Sequence, residues 1–391
     1  MLLLAPALPG PAARAAVDNT LGSSLANKVD LKLFDNTGCA GMSRIAAIKH
    51  CVNIIRRQQP DVIHVLAEGD IDFSQAATIV FARLLGVKVI LHNHGSDPSD
   101  ADLRSFLGRR YLKLVLGRCH RVIAASQSAK DNHAKLISAS RIELARSAVL
   151  AAPYEFNLHG SRARHMLGIH RDKVVVLVMG AMGKRGGAAD VIHAAPLVAR
   201  MDPSVQFVLV GSQDDVSSGA IEELKKLRKD SNAEDSVDGR VETDESRRRL
   251  YYAAADILVM PCTGATLPVP ILEAMASKLP VISTSAGAVP EMVDHEKTGL
   301  LVQPGRPSEI AEAIVKLSKD QHLRKEMGHA GLKKFRLMFD MERVCAPALW
   351  HAYRDLAFGP KAAPDQQPAA PISAEDDDLP DDEAEAREAA S

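Results

Sequence analysis

Two carboxylates interrupt an otherwise apolar, small-residue stretch between residues 270 and 293: Glu273 and Glu291. The apolar run 256–261 ends just upstream, and Pro268 and Pro270 suit the opening of a helix. That helix places Glu273 within about its first turn, beside unpaired backbone N–H groups and the positive end of the helix dipole. A phosphate-bearing ligand with hydroxyls nearby fits such a place, and Glu273 can accept hydrogen bonds from a ribose diol. The plainer reading is that Glu273 only complements the dipole. After the next apolar run, Gly287 permits close approach of a backbone, Pro290 stiffens the turn, and Glu291 can cap a following helix.

A third loop of this kind follows the run 173–179. Gly180, Gly183, Gly186 and Gly187 surround Lys184 and Arg185. The spacing is neither a dinucleotide fingerprint nor a phosphate-binding P-loop. Glycines with two cations at a helix start do suit a diphosphate; a solvated basic loop is the alternative. Nearer the N-terminus, His92, His94 and Asp97 follow an apolar run. Two histidines without a clear third ligand argue weakly for metal. A histidine facing a cleft as a polar contact or proton relay fits better, beside the bland alternative of loop histidines with structural hydrogen bonds.

The elements that must position these residues are short apolar runs alternating with helical patterns. Runs at 2–8, 29–34, 61–66, 87–93 and 121–126 form one set, and runs at 173–180, 205–211, 256–261, 280–284 and 299–302 a second. Apart from 29–34, where Asp30 and Lys32 alternate with apolar residues, these runs lack polar alternation, which suits parallel strands covered on both faces. Helical patterns at 44–58, 76–86, 102–117, 188–201, 220–229 and 308–319 lie between them, and residues 321–358 read as two further helices. This order predicts α/β architecture with parallel sheets. It breaks once, at about 151–172, where a polar stretch with Pro and Gly marks a domain boundary. Two doubly wound, Rossmann-like domains then face across a cleft, with ligand sites outside the carboxyl ends of their strands.

The chain has 391 residues, 46% hydrophobic but only 4% aromatic, enough for two aliphatic cores. Five cysteines (Cys39, Cys51, Cys119, Cys262 and Cys345) are scattered and never paired in a C-x-x-C motif. That argues against a disulfide framework and for a reducing compartment. The first residues lack the basic start of a signal peptide and are broken by Pro6 and Pro9, so they read as a first buried strand. No run approaches the ~20 apolar residues of a spanning helix. Residues 359–391 hold ten acids against two bases, a balance of −8, which against −1 for the whole chain leaves +7 elsewhere. That composition predicts a disordered acidic tail, either solubilising or in contact with the basic body.

The residues also carry a resemblance. The stretches 255–261, 270–305 and 307–320 resemble the C-terminal domain of family 4 glycosyltransferases, and the resemblance continues upstream through 175–187 and 190–212. Residues 60–65, 94–97 and 120–131 resemble, more loosely, the family's N-terminal domain. The resemblance implies a GT-B fold and retaining, metal-independent transfer from a nucleoside diphosphate sugar, without a cofactor. By position it implies that Glu273 holds the nucleotide ribose and that His94 stands near the transferred sugar as the catalytic residue. It also implies that Ser285, Ala286, Gly287, Ala288 and Val289 form the donor loop, and that Gly183, Lys184 and Arg185 receive the diphosphate.

Three departures fall at this site. Ala265 stands where the family has its first glutamate, and Thr266, Leu267 and Pro268 replace Gly-Phe-Gly. In the basic loop Ala181 and Gly186 stand where Arg and Lys are usual. The Asn-Gly that closes the family's first domain is missing near 150–156. A lost carboxylate beside the sugar can cost ~100-fold in rate.

Residues 102–118 mix Leu and aromatic residues with Arg104, Arg109, Arg110, Lys113 and Arg118, a pattern that suits an anionic membrane or a core-packed helix with a solvated basic face. Nucleic acid fits poorly, because aromatic interleaving is missing. The expected domains are residues 1–151, a linker 152–172, residues 173–340, a returning helix 341–358 that packs on the first domain, and the acidic tail 359–391. The expected function is sugar transfer to a glycan or lipid-linked acceptor, in the cytoplasm or at the inner face of the membrane. The alternative is a catalytically silent GT-B-fold protein that binds a nucleotide, glycan or partner protein.

Overall fold

The computed structural model describes residues 2–5, 18–20, 22–30, 32–35, 44–67, 71, 73–93, 106–154, 160–180, 182–183, 186–212, 215–216, 219–263 and 268–359. Its frame is two six-stranded sheets, each parallel throughout. The first holds β1 (Leu2–Ala5), β2 (Lys32–Asp35), β3 (Val62–Ala67), β4 (Lys88–Asn93), β5 (Arg121–Ala124) and β6 (Ile142–Leu144), in the order β2-β1-β3-β4-β5-β6. The second holds β7 (Val174–Met179), β8 (Val205–Gly211), β9 (Val237–Val241), β10 (Ile257–Met260), β11 (Val281–Thr284) and β12 (Gly299–Val302), in the order β12-β11-β10-β7-β8-β9. Central strands are buried along their length, as β3 and β10 are, because helices cover both faces.

Helices α1 (Arg44–Gln58), α2 (Phe73–Leu84), α3 (Phe106–Arg118) and α4 (Gln127–Ala134) belong to the first sheet. Helices α5 (Gly160–Leu167), α6 (Ala188–Met201), α7 (Ala220–Asp230), α8 (Glu245–Ala254), α9 (Val269–Ala276), α10 (Val289–Met292), α11 (Pro307–Lys319) and α12 (Gln321–Met338) surround the second. Two aliphatic cores flank the second sheet, one around Leu177, Leu258 and Leu272 and the other around Val176, Phe207 and Ile314. A π-helical turn, Met341–Cys345, leads into α13 (Ala346–Phe358), which returns to the first sheet. There Leu349, Ala352 and Tyr353 pack with Val62, Ile90 and Ile123.

Several elements differ from the pattern expected of the sequence, for physical reasons. β6 is three residues long, and β9 carries Asp238, Gly239 and Arg240 in its middle. Both lie at sheet edges, where a strand needs little apolar surface. The polar stretch at 151–172 contains α5, whose buried residues are Ala163 and Leu167. One narrow stripe, four residues apart, is enough to dock a helix that is otherwise wet. The tail from residue 360 onward lies outside the described residues.

Candidate functional site

In the second sheet, β7 stands between β8 on one side and β10 on the other, so strand order reverses beside it. The loops after β7, β10 and β11 therefore lie side by side at one edge of the sheet, which is where α/β folds bind ligands. All three are the loops singled out by their residue types.

Helix α9 opens with Pro268 as N-cap, and Glu273 is its fifth residue, just past the first turn. The dipole therefore does not account for the residue. Glu273 is only 6% exposed, and a buried carboxylate needs donors. Two tyrosines supply them. Tyr154 Oη donates to Oε1 at 2.6 Å, and Tyr252 Oη donates to Oε2. Their rings meet edge to face, centroids 5.7 Å apart, and the Arg249 guanidinium lies 5.9 Å from the centre of the Tyr154 ring. Burial, followed by the neighbouring Glu273 charge, pushes the Tyr252 phenol well above its ordinary pKa. Tyr252 is accordingly a fixed donor.

Neither tyrosine was marked by sequence reasoning. Tyr252 lies on α8, one strand away in the fold, and Tyr154 lies in the polar stretch between the sheets. The available signal was thin: two of the chain's five tyrosines, Tyr154 in the stretch 150–156 noted for its missing Asn-Gly and Tyr252 in a segment with no mark of chemistry.

The loop after β11 is anchored from below. Ser283 Oγ donates to the Met260 carbonyl at 2.6 Å, and Thr284 Oγ1 donates to the Cys262 carbonyl. Ser285 and Gly287 are exposed, Ala286 is half-buried, and Ala288 and Val289 are buried beneath the loop. Gly287 has φ +54°, a conformation that a side chain disfavours. The loop after β7 is held by Asp215, whose Oδ1 accepts from the Met182 N–H at 2.8 Å while Oδ2 accepts from the Ser212 N–H and hydroxyl. Gly183 accepts a bond from the Gly186 N–H at 2.9 Å. Gly187, the N-cap of α6, has φ +75°, and a Cβ there would stand 2.1 Å from the Pro261 carbonyl oxygen. Only glycine lets the loops after β7 and β10 approach this closely. Lys184, Arg185, Ala265 and its neighbours 264–267 lie outside the described residues.

Glu291 does cap a helix, but one built on the other sheet. Its carboxylate accepts from the Gln127 and Ser128 N–H groups at the start of α4, at 2.9 and 3.2 Å, with Arg146 4.0 Å away. Ser126 Oγ takes the Ala129 N–H, completing that helix start. The loop 285–289 after β11 thus ends two residues before a direct contact between the two halves.

On the first sheet, His92 lies inside β4 and is 2% exposed. It does not stand beyond the strand in a loop, as expected. Its ring stacks on His64 with centroids 5.4 Å apart, and His64 Nδ1 is 2.7 Å from Tyr353 Oη of α13. The periodicity of two in a strand carries residue 92 to the face that α13 covers. His94 and Asp97 lie outside the described residues. Among the described residues no three His, Cys, Asp or Glu side chains gather as metal ligands, and no helix is long and apolar enough to cross a membrane.

Two parallel-sheet domains, with glycine-bearing loops at the switch point of the second, define a two-domain α/β architecture. Residues 5–149 match the family described as Glycosyltransferase Family 4, and residues 173–320 match Glycosyl transferases group 1. The chain belongs to these glycosyltransferases, and its fold is GT-B. It is 33% identical over 179 residues to the GDP-mannose-dependent alpha-(1-6)-phosphatidylinositol monomannoside mannosyltransferase of Mycobacterium tuberculosis, covering 44% of each chain. It is 26% identical over 201 residues to the D-inositol 3-phosphate glycosyltransferase of Paenarthrobacter aurescens, covering 51% of this chain and 48% of that one. These matches span about half the length of those relatives. Among solved structures, Anabaena HepE in complex with UDP superposes with a TM-score of 0.70 at 17% identity, over 91% of this chain and 99% of that one. A glycosyltransferase from Rickettsia africae gives 0.71 at 16% identity, over 91% and 98%.

Proposed function

We propose that this protein transfers a sugar from a nucleoside diphosphate sugar to a glycan or lipid-linked acceptor. The observation that carries the reading is Glu273, a buried carboxylate at the switch point, beside the glycine-bearing loops after β7 and β11. In this reading Glu273 accepts from the donor ribose. The loop 285–289 and the start of α6, with Gly183, Lys184 and Arg185, receive the diphosphate. Backbone N–H groups and cations there stabilise the charge that develops on the leaving group. His94, supplied by the first domain, stands beside the transferred sugar. The domains are residues 1–151 and 173–340 with a connection between them, and 341–358 belongs with the first domain. Closure of the cleft excludes water that would hydrolyse the donor.

The relatives' names support a lipid-linked acceptor. One acts on a phosphatidylinositol mannoside, and another is the sulfoquinovosyl transferase of Arabidopsis thaliana. Peripheral membrane contact through 102–118 is part of the proposal: α3 exposes Tyr111 and Leu114 among Arg109, Arg110, Lys113 and Arg118. Ala265 supports the second reading, a binder without transfer.

The test is a panel of UDP-, GDP- and ADP-sugars, scored by thermal shift and by release of sugar, with and without phosphatidylinositol mannoside. One nucleotide class raising the melting temperature with slow sugar release supports transfer. Stabilisation without turnover, together with transfer gained in Ala265→Glu, supports a degraded catalytic site. No shift with any donor rejects the reading.

A further inference from the structure

Tyr154 occupies a particular place in the chain. The two segments that pass between the sheets run side by side at Val149 and Asp340, where the Val149 N–H donates to the Phe339 carbonyl and the Met341 N–H donates to the Val149 carbonyl, each at 3.0 Å. Five residues beyond Val149, the chain turns, with the Tyr154 N–H donating to the Ala151 carbonyl at 2.8 Å. The Tyr154 hydroxyl then bonds Glu273 Oε1. The segment connecting the two domains is therefore tied to the one carboxylate that the proposed function assigns to the donor.

The two tyrosines on that carboxylate are not equivalent. Tyr252 is buried on a helix in the core, 2% exposed, and cannot leave Oε2 without opening the domain. Tyr154 is half-buried, in a turn, with the Arg249 guanidinium against its ring. Its hydroxyl can withdraw by rotation of one side chain. A ribose diol that takes the position Tyr154 Oη now holds at Oε1 must displace that hydroxyl.

We propose that Tyr154 is a donor-sensing latch: it holds Glu273 Oε1 in the donor-free protein and is displaced by the ribose hydroxyls of the nucleotide, which frees the segment connecting the two domains. The proposal rests on the reading of Glu273 as the ribose acceptor. It makes Tyr154 a positioning residue. It predicts that part of the intrinsic affinity for nucleotide is spent on the displacement.

The experiment uses the full chain as wild type, Tyr154→Phe and Glu273→Gln. Calorimetry measures Kd for UDP, GDP and ADP, and for the 2′,3′-dideoxy form of whichever binds tightest. Tyrosine-labelled NMR follows the Tyr154 ring, assigned by its loss in Tyr154→Phe. The expected result is that Tyr154→Phe binds the nucleotide about threefold to tenfold tighter, the equivalent of one hydrogen bond no longer displaced. That gain vanishes with the dideoxy nucleotide, which has no hydroxyl to offer Glu273, and the wild-type Tyr154 signal moves only with the ribonucleotide. A purely structural tyrosine would give no gain that depends on ribose hydroxyls. If Tyr154→Phe binds equally or more weakly while Glu273→Gln loses affinity, the latch is wrong and the ribose reading stands. If Glu273→Gln binds as wild type does, or if no nucleotide binds wild type, the ribose reading fails and takes the latch with it.

Discussion

Glu273 shows how a single buried charge is made tolerable. Two phenol donors satisfy its oxygens, and removing it strands both. Glu273→Ala should destabilise the second domain by about 2–4 kcal/mol, because two partly or fully buried hydroxyls lose their acceptor. Glu273→Gln keeps the shape and one acceptor, and should cost less than half as much; thermal melting of the two variants checks the order. His120 makes a residue-scale prediction of a different kind. Burial and then the charges of Arg83, Lys88, Arg141 and Arg121 push its pKa down to about 4. Its Nδ1 accepts from the Val89 N–H at 3.0 Å, and Arg83 stands against Nε2. The folded ring therefore stays neutral where the unfolded ring, titrating near ~6.5, takes up a proton. The contribution to stability is full above about 6.5 and is lost as the pH falls from there through about 4. Solvent screening at this half-exposed site reduces it to on the order of 0.5–1 kcal/mol. Melting at pH 7 and pH 5 should show a smaller drop in His120→Asn, whose amide oxygen still accepts from Val89, than in wild type.

At the scale of elements, Glu291 couples the loop after β11 to the start of α4. A helix of eight residues depends on its cap more than a long one does. Glu291→Ala should cost about 1 kcal/mol by loss of the cap, and should raise amide hydrogen exchange at Gln127 and Ser128 while leaving Ala129, capped by Ser126, protected. Equal exchange in wild type and variant would remove the contact from the solution structure. The strands and most helices of both domains were legible in the sequence because unbroken apolar runs and the helical period carry the burial pattern directly. β6, β9, α4, α5 and α8 were not. They are short and bury one to three residues each, too few to set a period.

At the scale of the whole molecule, the described chain crosses between domains twice, and its last helix, α13, packs on the first. Leu349 on α13 is 1% exposed in the core that contains Val62, Ile90 and Ile123. Leu349→Ala should destabilise the first domain by about 2–5 kcal/mol, although the residue lies more than two hundred positions from Val62, Ile90 and Ile123 in sequence. Differential scanning calorimetry should show the first domain's transition moving and the second's staying.

The sequence by itself determined the two parallel sheets, the order of strand and helix, and the three loops that gather at the switch point of the second sheet, because each depends on local periodicity and on glycine at close turns. It marked Glu273 as unusual, since a lone acid among apolar residues is conspicuous without any structure. The partners of Glu273, Tyr154 and Tyr252, were decided only by tertiary structure, as were the reach of Glu291 to the other domain and the placement of His92 within the sheet against His64. Each of these joins residues far apart in the chain, and whether a buried polar group finds its partner depends on how the sheets, helices and connections pack, which no local pattern encodes.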